Sequence, residues 1–300
     1  MLVLHVLVSI GFVQTVGQDH RAVELDREFL ASSEPLSVLV AGSSHARNAI
    51  AAEELGGASI AVAGEHPVKT RFRLPWLLDR TDRPIGAVIL ELDAVSVAGF
   101  KADDYGPEYI WGRYVPFLRI GMLRGAPLPY AGKWAKAHLA PYAGEWGNVM
   151  LWRAGRRAFR DENRADRFQR QAPNWVRKTG EEAARVHFEG VVPYDPMKVW
   201  AFRELVNNLR QREMHVVVVR FPVTREYAAA AEGYGATPDL LDDVMEPLLS
   251  PGEVDQIDLS HLLDDRPDAF YDGDHVGRGW RQVVSVLRQE LRGLGIRTSR

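Results

Sequence analysis

Short apolar runs alternate along this chain with longer segments whose apolar residues recur at helical spacing. Leu36–Ala41 is rich in Val and Leu and ends at Gly42, the pattern of a buried strand followed by a turn. Residues 59–63, closed by Gly64, read as a second strand, and residues 87–92 as a third. Residues 214–221 hold four consecutive valines and read as a core strand; residues 254–259 make a weaker one. Between these runs, residues 45–55 and 68–79 read as helices, the second with Leu74, Leu77 and Leu78 on one face. Residues 198–213 place Val199, Phe202, Leu205, Val206 and Leu209 on one stripe. Residues 280–294 do the same with Trp280, Val283, Val284, Leu287, Leu291 and Leu294. This alternation predicts an α/β fold: a three-layer α/β/α sandwich around a mainly parallel sheet of about five strands.

Two stretches break the pattern. Residues from about 100 to 195 hold five of the eight tryptophans, many prolines and glycines, and no run that reads as a strand. They are expected to form a helical and irregular insertion lying over the sheet of a single domain spanning 18–300. Residues 1–17 are apolar apart from His5, Ser9, Gln14 and Thr15, which is short for a membrane span of about 20 residues. A marginal anchor, a buried first helix or strand, and a signal-peptide remnant all fit this segment. The expectation is an anchoring helix projecting from the domain, followed by a polar helix or stalk over 18–34.

Composition narrows the classes. With 46% hydrophobic and 26% charged residues the chain can build a sizeable core, so wholesale disorder is not expected. A formal net charge of −3 gives no reason to expect nucleic acid as a partner. The absence of cysteine excludes disulfides and thiolate metal sites. No cluster of His, Asp and Glu has convincing metal spacing and no Gly-rich phosphate loop is present, so neither metal nor cofactor is expected. Nine Arg and Lys lie within 150–178, against Asp161, Glu162 and Asp166. They fit a solvated helix face with internal ion pairs, or a surface for anionic glycans or lipid headgroups.

The candidate chemistry sits after the strands, where parallel sheets gather their ligands. Gly42, Ser43, Ser44 and His45 follow the first strand directly; the serines suit an exposed nucleophile or a helix cap. Phe270-Tyr271-Asp272-Gly273-Asp274-His275 precedes the last helix. Asp272 and His275 are spaced so that the carboxylate can hold Nδ1 and leave Nε2 as a base, or they form an ordinary polar helix start. His45 is expected at the surface or behind the site and His215 in a structural role; His66, two residues after Gly64, is a candidate to line the pocket, with a place away from it the favoured reading.

The order of these two blocks resembles the SGNH/GDSL hydrolase superfamily, whose first block is a Gly-x-Ser turn and whose last is Asp-x-x-His. Val38 to Ala46 and Phe270 to His275 are most similar to its cell-surface modification branch, with DltD-type and alginate O-acetylation proteins. The resemblance covers roughly 36–95 and 198–295. It implies Ser44 as nucleophile, with Ser43 the nearest alternative, and Asp272 and His275 as its partners. It also implies Gly64 as an oxyanion donor beside the Ser44 N–H. The family's oxyanion Asn is missing: Asp93, after Glu91 and Leu92, stands in its place and is expected to be a structural carboxylate.

What the resemblance implies for function is serine-dependent acyl transfer or ester hydrolysis on a cell-surface polysaccharide or envelope polymer. The setting would be the extracytoplasmic envelope, the chain membrane-anchored through its N-terminus and working with an integral membrane acyltransferase. A non-catalytic glycan-binding or assembly protein and a simple carboxylesterase are the rival expectations.

Overall fold

A computed structural model of the chain describes residues 2–104, 108–156, 173–245 and 254–298. Its first half runs α1 (Leu2–Gln14), α2 (Arg21–Leu30), β1 (Leu36–Ala41), α3 (Ser44–Ala49), β2 (Ala58–Ser59), α4 (Pro67–Leu78) and β3 (Ile85–Glu91). Six short or medium helices follow: α5 (Ala94–Val97), α6 (Glu108–Trp111), α7 (Phe117–Leu123), α8 (Pro127–Leu139), α9 (Trp146–Arg153) and α10 (Pro173–Phe188). The chain ends with α11 (Pro196–Gln211), β4 (His215–Arg220), α12 (Arg225–Gly233), α13 (Pro238–Met245), β5 (Asp255–Asp258) and α14 (Trp280–Gly293).

The residues divide into two compact units: Met1–Ser32, Phe72–Thr81 and Asp103–Glu162 form one, and Ser33–Arg71, Asp82–Ala102 and Asn163–Arg300 the other. The second unit holds the sheet. Its five strands are all parallel, in the order β2-β1-β3-β4-β5. The fold is the expected α/β class, with helices on both faces. On one face Val38, Val40, Ala87, Ile89, Val217 and Val219 pack against Ala46 and Ala49 of α3 and Val283, Leu287 and Leu291 of α14. On the other face, α11 packs on β4. The chain leaves β1 toward one edge of the sheet and returns through β3 on the other side of β1. The carboxyl ends of β1 and β3 therefore flank the crevice where such sheets open for ligands.

Several boundaries differ from the sequence expectation. β2 covers only Ala58–Ser59. Ile60 and Val62 still donate to Val40 and Gly42 at 2.9 and 3.0 Å, so the edge continues as irregular backbone up to Gly64. The helix expected over 45–55 breaks at Ile50, whose extended backbone lets Ala52 and Leu55 fold onto the core. Within 100–195 the described residues contain helices and no strand, and α10 clusters with the sheet unit while residues 103–156 do not. Arg157, Arg160, Arg164, Arg167 and Arg170 lie outside the described residues.

In the helical unit α1 is a helix, as expected, but it does not simply project. Phe12 and Val16 are buried against Tyr109, Tyr142 and Val149, while Leu4, Leu7 and Ile10 stay exposed. Nor is α2 a stalk: Val23, Leu25 and Phe29 are buried, and Asp26 receives Arg73 Nε at 2.9 Å and the Tyr114 hydroxyl.

Candidate active site

Ser44 is the first residue of α3, and Ser43 is the cap before it. The turn between β1 and α3 is held from below by Glu91, the last residue of β3. Its Oε2 accepts the Ser43 and Ala46 N–H groups at 2.7 and 3.0 Å, and Oε1 accepts the Ser43 hydroxyl at 2.6 Å. Gly42 makes this approach possible. Its φ is +152°, and a Cβ there would lie 2.7 Å from Glu91 Cβ and 2.8 Å from Oε2. Ser43 also accepts the His45 N–H at 3.2 Å, so its hydroxyl is committed to holding the turn. Ser44 is left as the serine that faces the site.

The Ser44 hydroxyl lies 2.8 Å from His275 Nε2. On the other ring nitrogen, Asp272 places Oδ1 and Oδ2 at 2.9 and 3.0 Å from Nδ1. Asp272 Oδ1 also accepts the backbone N–H of His275 at 2.8 Å, so the Asp-x-x-His spacing closes a local turn that points the carboxylate at its own histidine. Two neighbours fix this loop. Thr224 donates its N–H and hydroxyl to Gly273 O at 3.1 and 2.6 Å. The backbone of α10 passes so near that a Cβ on Gly273 would lie 2.1 Å from Gly180 Cα.

The electrostatics favour a charged His275. Burial opposes the imidazolium, but Asp274 and Asp272 outweigh it and push the ring up to about 9. Burial, and then Asp93, pushes Glu91 up to about 7. His187, from α10, faces the same space with Nδ1 2.9 Å from the Tyr227 hydroxyl, and burial pushes it down to about 4, so it is neutral.

Ser43, Ser44, Gly64, His66, His187, Lys198 and His275 line one cavity of about 160 Å³. The resemblance assigned Gly64 and Ser44 to the oxyanion, and both are on its wall. The Ser44 N–H, at the first helical position, has no acceptor within α3. His66 lines the pocket, the less favoured of its two readings, and is buried. Asp93 is the structural carboxylate expected: it caps α5 in a reciprocal box with Ser96 and engages His45. Of the two places expected for His45, the surface and a position behind the site, it takes the second. It is 4% exposed, with Nδ1 2.5 Å from Asp93 Oδ2 and Nε2 3.3 Å from Asp274 Oδ2. Its burial follows from its neighbours, since α3 carries it under the loop that holds Asp274.

Glu91, Asp274 and His187 were missed by sequence reasoning. A carboxylate closing the apolar run 87–90 was the signal for Glu91; Asp274 sat in plain view beside His275; His187 had none, being placed by α10. Among the described residues, two groups of three have ligand atoms within 4.8 Å of one another: His45, Asp274 and His275, and His45, Glu91 and Asp93. Both use His45, whose ring nitrogens already engage two carboxylates, so a metal there would have to displace those bonds. No protein-family model matches the chain, and no curated protein matches it in sequence.

Proposed function

We propose that the chain is a serine esterase or O-acyltransferase of the SGNH type. The observation that carries this reading is the unbroken path from Ser44 Oγ through His275 to Asp272, at 2.8 and 2.9 Å. In the reaction, Ser44 attacks an ester carbonyl and passes its proton to His275 Nε2. Asp272 stabilises the imidazolium and holds the ring. The N–H groups of Ser44 and Gly64 receive the developing oxyanion. The proton then leaves with the departing alcohol, and an acyl-serine remains. Water or a sugar hydroxyl discharges it, with His275 again taking the proton.

The natural acceptor in this reading is a hydroxyl on a cell-surface polysaccharide or other envelope polymer, and an integral membrane acyltransferase supplies the acyl group. The chain works at the membrane. Exposed Leu4, Leu7, Met122, Leu128, Trp146 and Met150 of the helical unit support that location, since large apolar side chains left in water favour contact with lipid or protein. No described helix is long and apolar enough to cross a membrane.

The test uses purified protein, a chromogenic acetyl ester and a fluorophosphonate probe. The wild type should release chromophore and take the label at Ser44. Ser44→Ala should lose the label and about 10³-fold or more of the turnover. Added polysaccharide should divert acetyl from water to glycan. Glycan binding that is unchanged in Ser44→Ala, with no turnover in either protein, would support the assembly-protein reading. Fast hydrolysis that no glycan diverts would reduce the function to a carboxylesterase.

A further inference from the structure

Behind the triad runs a second line of carboxylates and imidazoles that acyl transfer leaves without a task. Asp274 Oδ1 lies 3.2 Å from His275 Nδ1, and its Oδ2 lies 3.3 Å from His45 Nε2. The remaining ring nitrogen of His45 faces Asp93 Oδ2 at 2.5 Å. The His45 and His275 rings meet edge to face, with centroids 5.1 Å apart. Asp272 alone satisfies a catalytic histidine, so Asp274 is a second buried anion on the same ring. An uncompensated buried charge is strongly unfavourable.

The geometry of His45 supplies the compensation. A neutral imidazole has one donor and one acceptor, so against two carboxylates one of its nitrogens would set lone pair against lone pair. An imidazolium donates to both. Burial opposes that charge, yet Asp93 and Asp274 outweigh it and hold His45 well above the usual histidine range.

We propose, building on the serine-enzyme reading above, that His45 is a positioning residue: an imidazolium clamped between Asp93 and Asp274 that holds Asp274 against His275 and offsets its charge there. The groups facing these two rings are Asp272 and Asp274 from the loop before α14, Glu91 and Asp93 from the end of β3, His187 from α10 and Tyr227 from α12. Lys101 and Lys198 line the same cavity. His275 therefore sits between an anion it touches and a cation one step behind. Removing either charge must move its proton affinity in opposite senses.

The experiment measures kcat/KM against pH for the wild type, Asp274→Asn and His45→Gln. Asp274→Asn should shift the alkaline rise by about one pH unit toward acid, and His45→Gln by about one unit toward alkali. A residue that only shapes the fold would lower activity at every pH without moving the profile. Shifts in the same direction, or none, would overturn the proposal. The ring nitrogens of histidine-labelled protein, read by NMR, give the same answer without turnover. His45 should keep both nitrogens protonated at about pH 8, where an ordinary histidine is neutral. A neutral His45 there would overturn the proposal, whereas a charged His45 in a protein that cleaves no ester would overturn only the catalytic reading. Should His45→Gln fail to fold, Asp93→Asn serves in its place: with one carboxylate gone, His45 should lose its proton at lower pH, and an unchanged titration would again refute the clamp.

Discussion

In the proposed reaction the same proton on His275 sets activity and stability, with opposite signs. The base must be neutral to take the Ser44 proton, and its neighbours hold it charged up to about pH 9. Ester turnover by the wild type, as kcat/KM, should therefore climb about tenfold per pH unit and level off near pH 9. A plateau near pH 6.5 would mean that the carboxylates do not act on the ring as described. The folded-state affinity is raised above the unfolded one, so the stabilisation is complete below about pH 6.5 and is lost as pH rises toward 9. The difference in Tm between wild type and His275→Gln should shrink across that window. Ser44, Asp272 and His275 were legible because each belongs to a short local block whose chain order is informative. His45 and Glu91 were not, because their states depend on burial against partners far along the chain: Asp274 lies 229 residues from His45, and Ser43 lies 48 from Glu91.

At the level of elements, amphipathic periodicity reported α14 to within one residue and α11 to within two at each end, since each lays one apolar stripe on the sheet. Over 18–34 a polar helix or stalk was expected; α2 is a helix, but its polar residues did not reveal that one face is buried. There Arg73 is fully buried, donates to Asp26 at 2.8–2.9 Å and reaches Ala22 O at 3.3 Å; Tyr114 joins from after α6. A charge that is neutralised only by another segment looks solvent-facing when each segment is read alone. Asp26→Ala leaves the Arg73 guanidinium buried without its counter-ion and should cost about 3–5 kcal/mol in urea unfolding. Adding Arg73→Met should restore most of that loss, and a pair of variants that merely add would show the two groups to be independent.

Taken as a whole molecule, the chain carries an uneven charge. From 113 to 156, Arg113, Arg119, Arg124, Lys133, Lys136, Arg153 and Arg156 stand against Glu145 alone, in a chain whose overall charge is −3. The same helical unit exposes Leu7, Met122, Leu128 and Trp146. Its 13-residue α1 spans about 20 Å, short of a hydrocarbon core of about 30 Å. Cationic and aromatic surface of this composition suits the headgroup layer of an anionic membrane. Cosedimentation with vesicles containing phosphatidylglycerol should be substantial, fall with added salt, and drop sharply in Leu7→Glu with Trp146→Ser. Equal binding to neutral vesicles would remove the electrostatic part. This unit was invisible as a unit in the sequence because three separate segments compose it.

The crossing of Gly273 and Gly180 limits how far the protein can be cut down. The histidine loop gets its shape by resting backbone to backbone on α10, a helix from the long stretch between the two halves of the sheet. A miniaturised chain that joined β3 directly to α11 would keep every strand as well as Ser44, Asp272 and His275. It would lose the surface on which the loop rests and keep the Thr224 bonds to Gly273. The smallest version that keeps the histidine loop in shape must therefore carry residues 173–188, and a side chain at Gly180 would press on that loop.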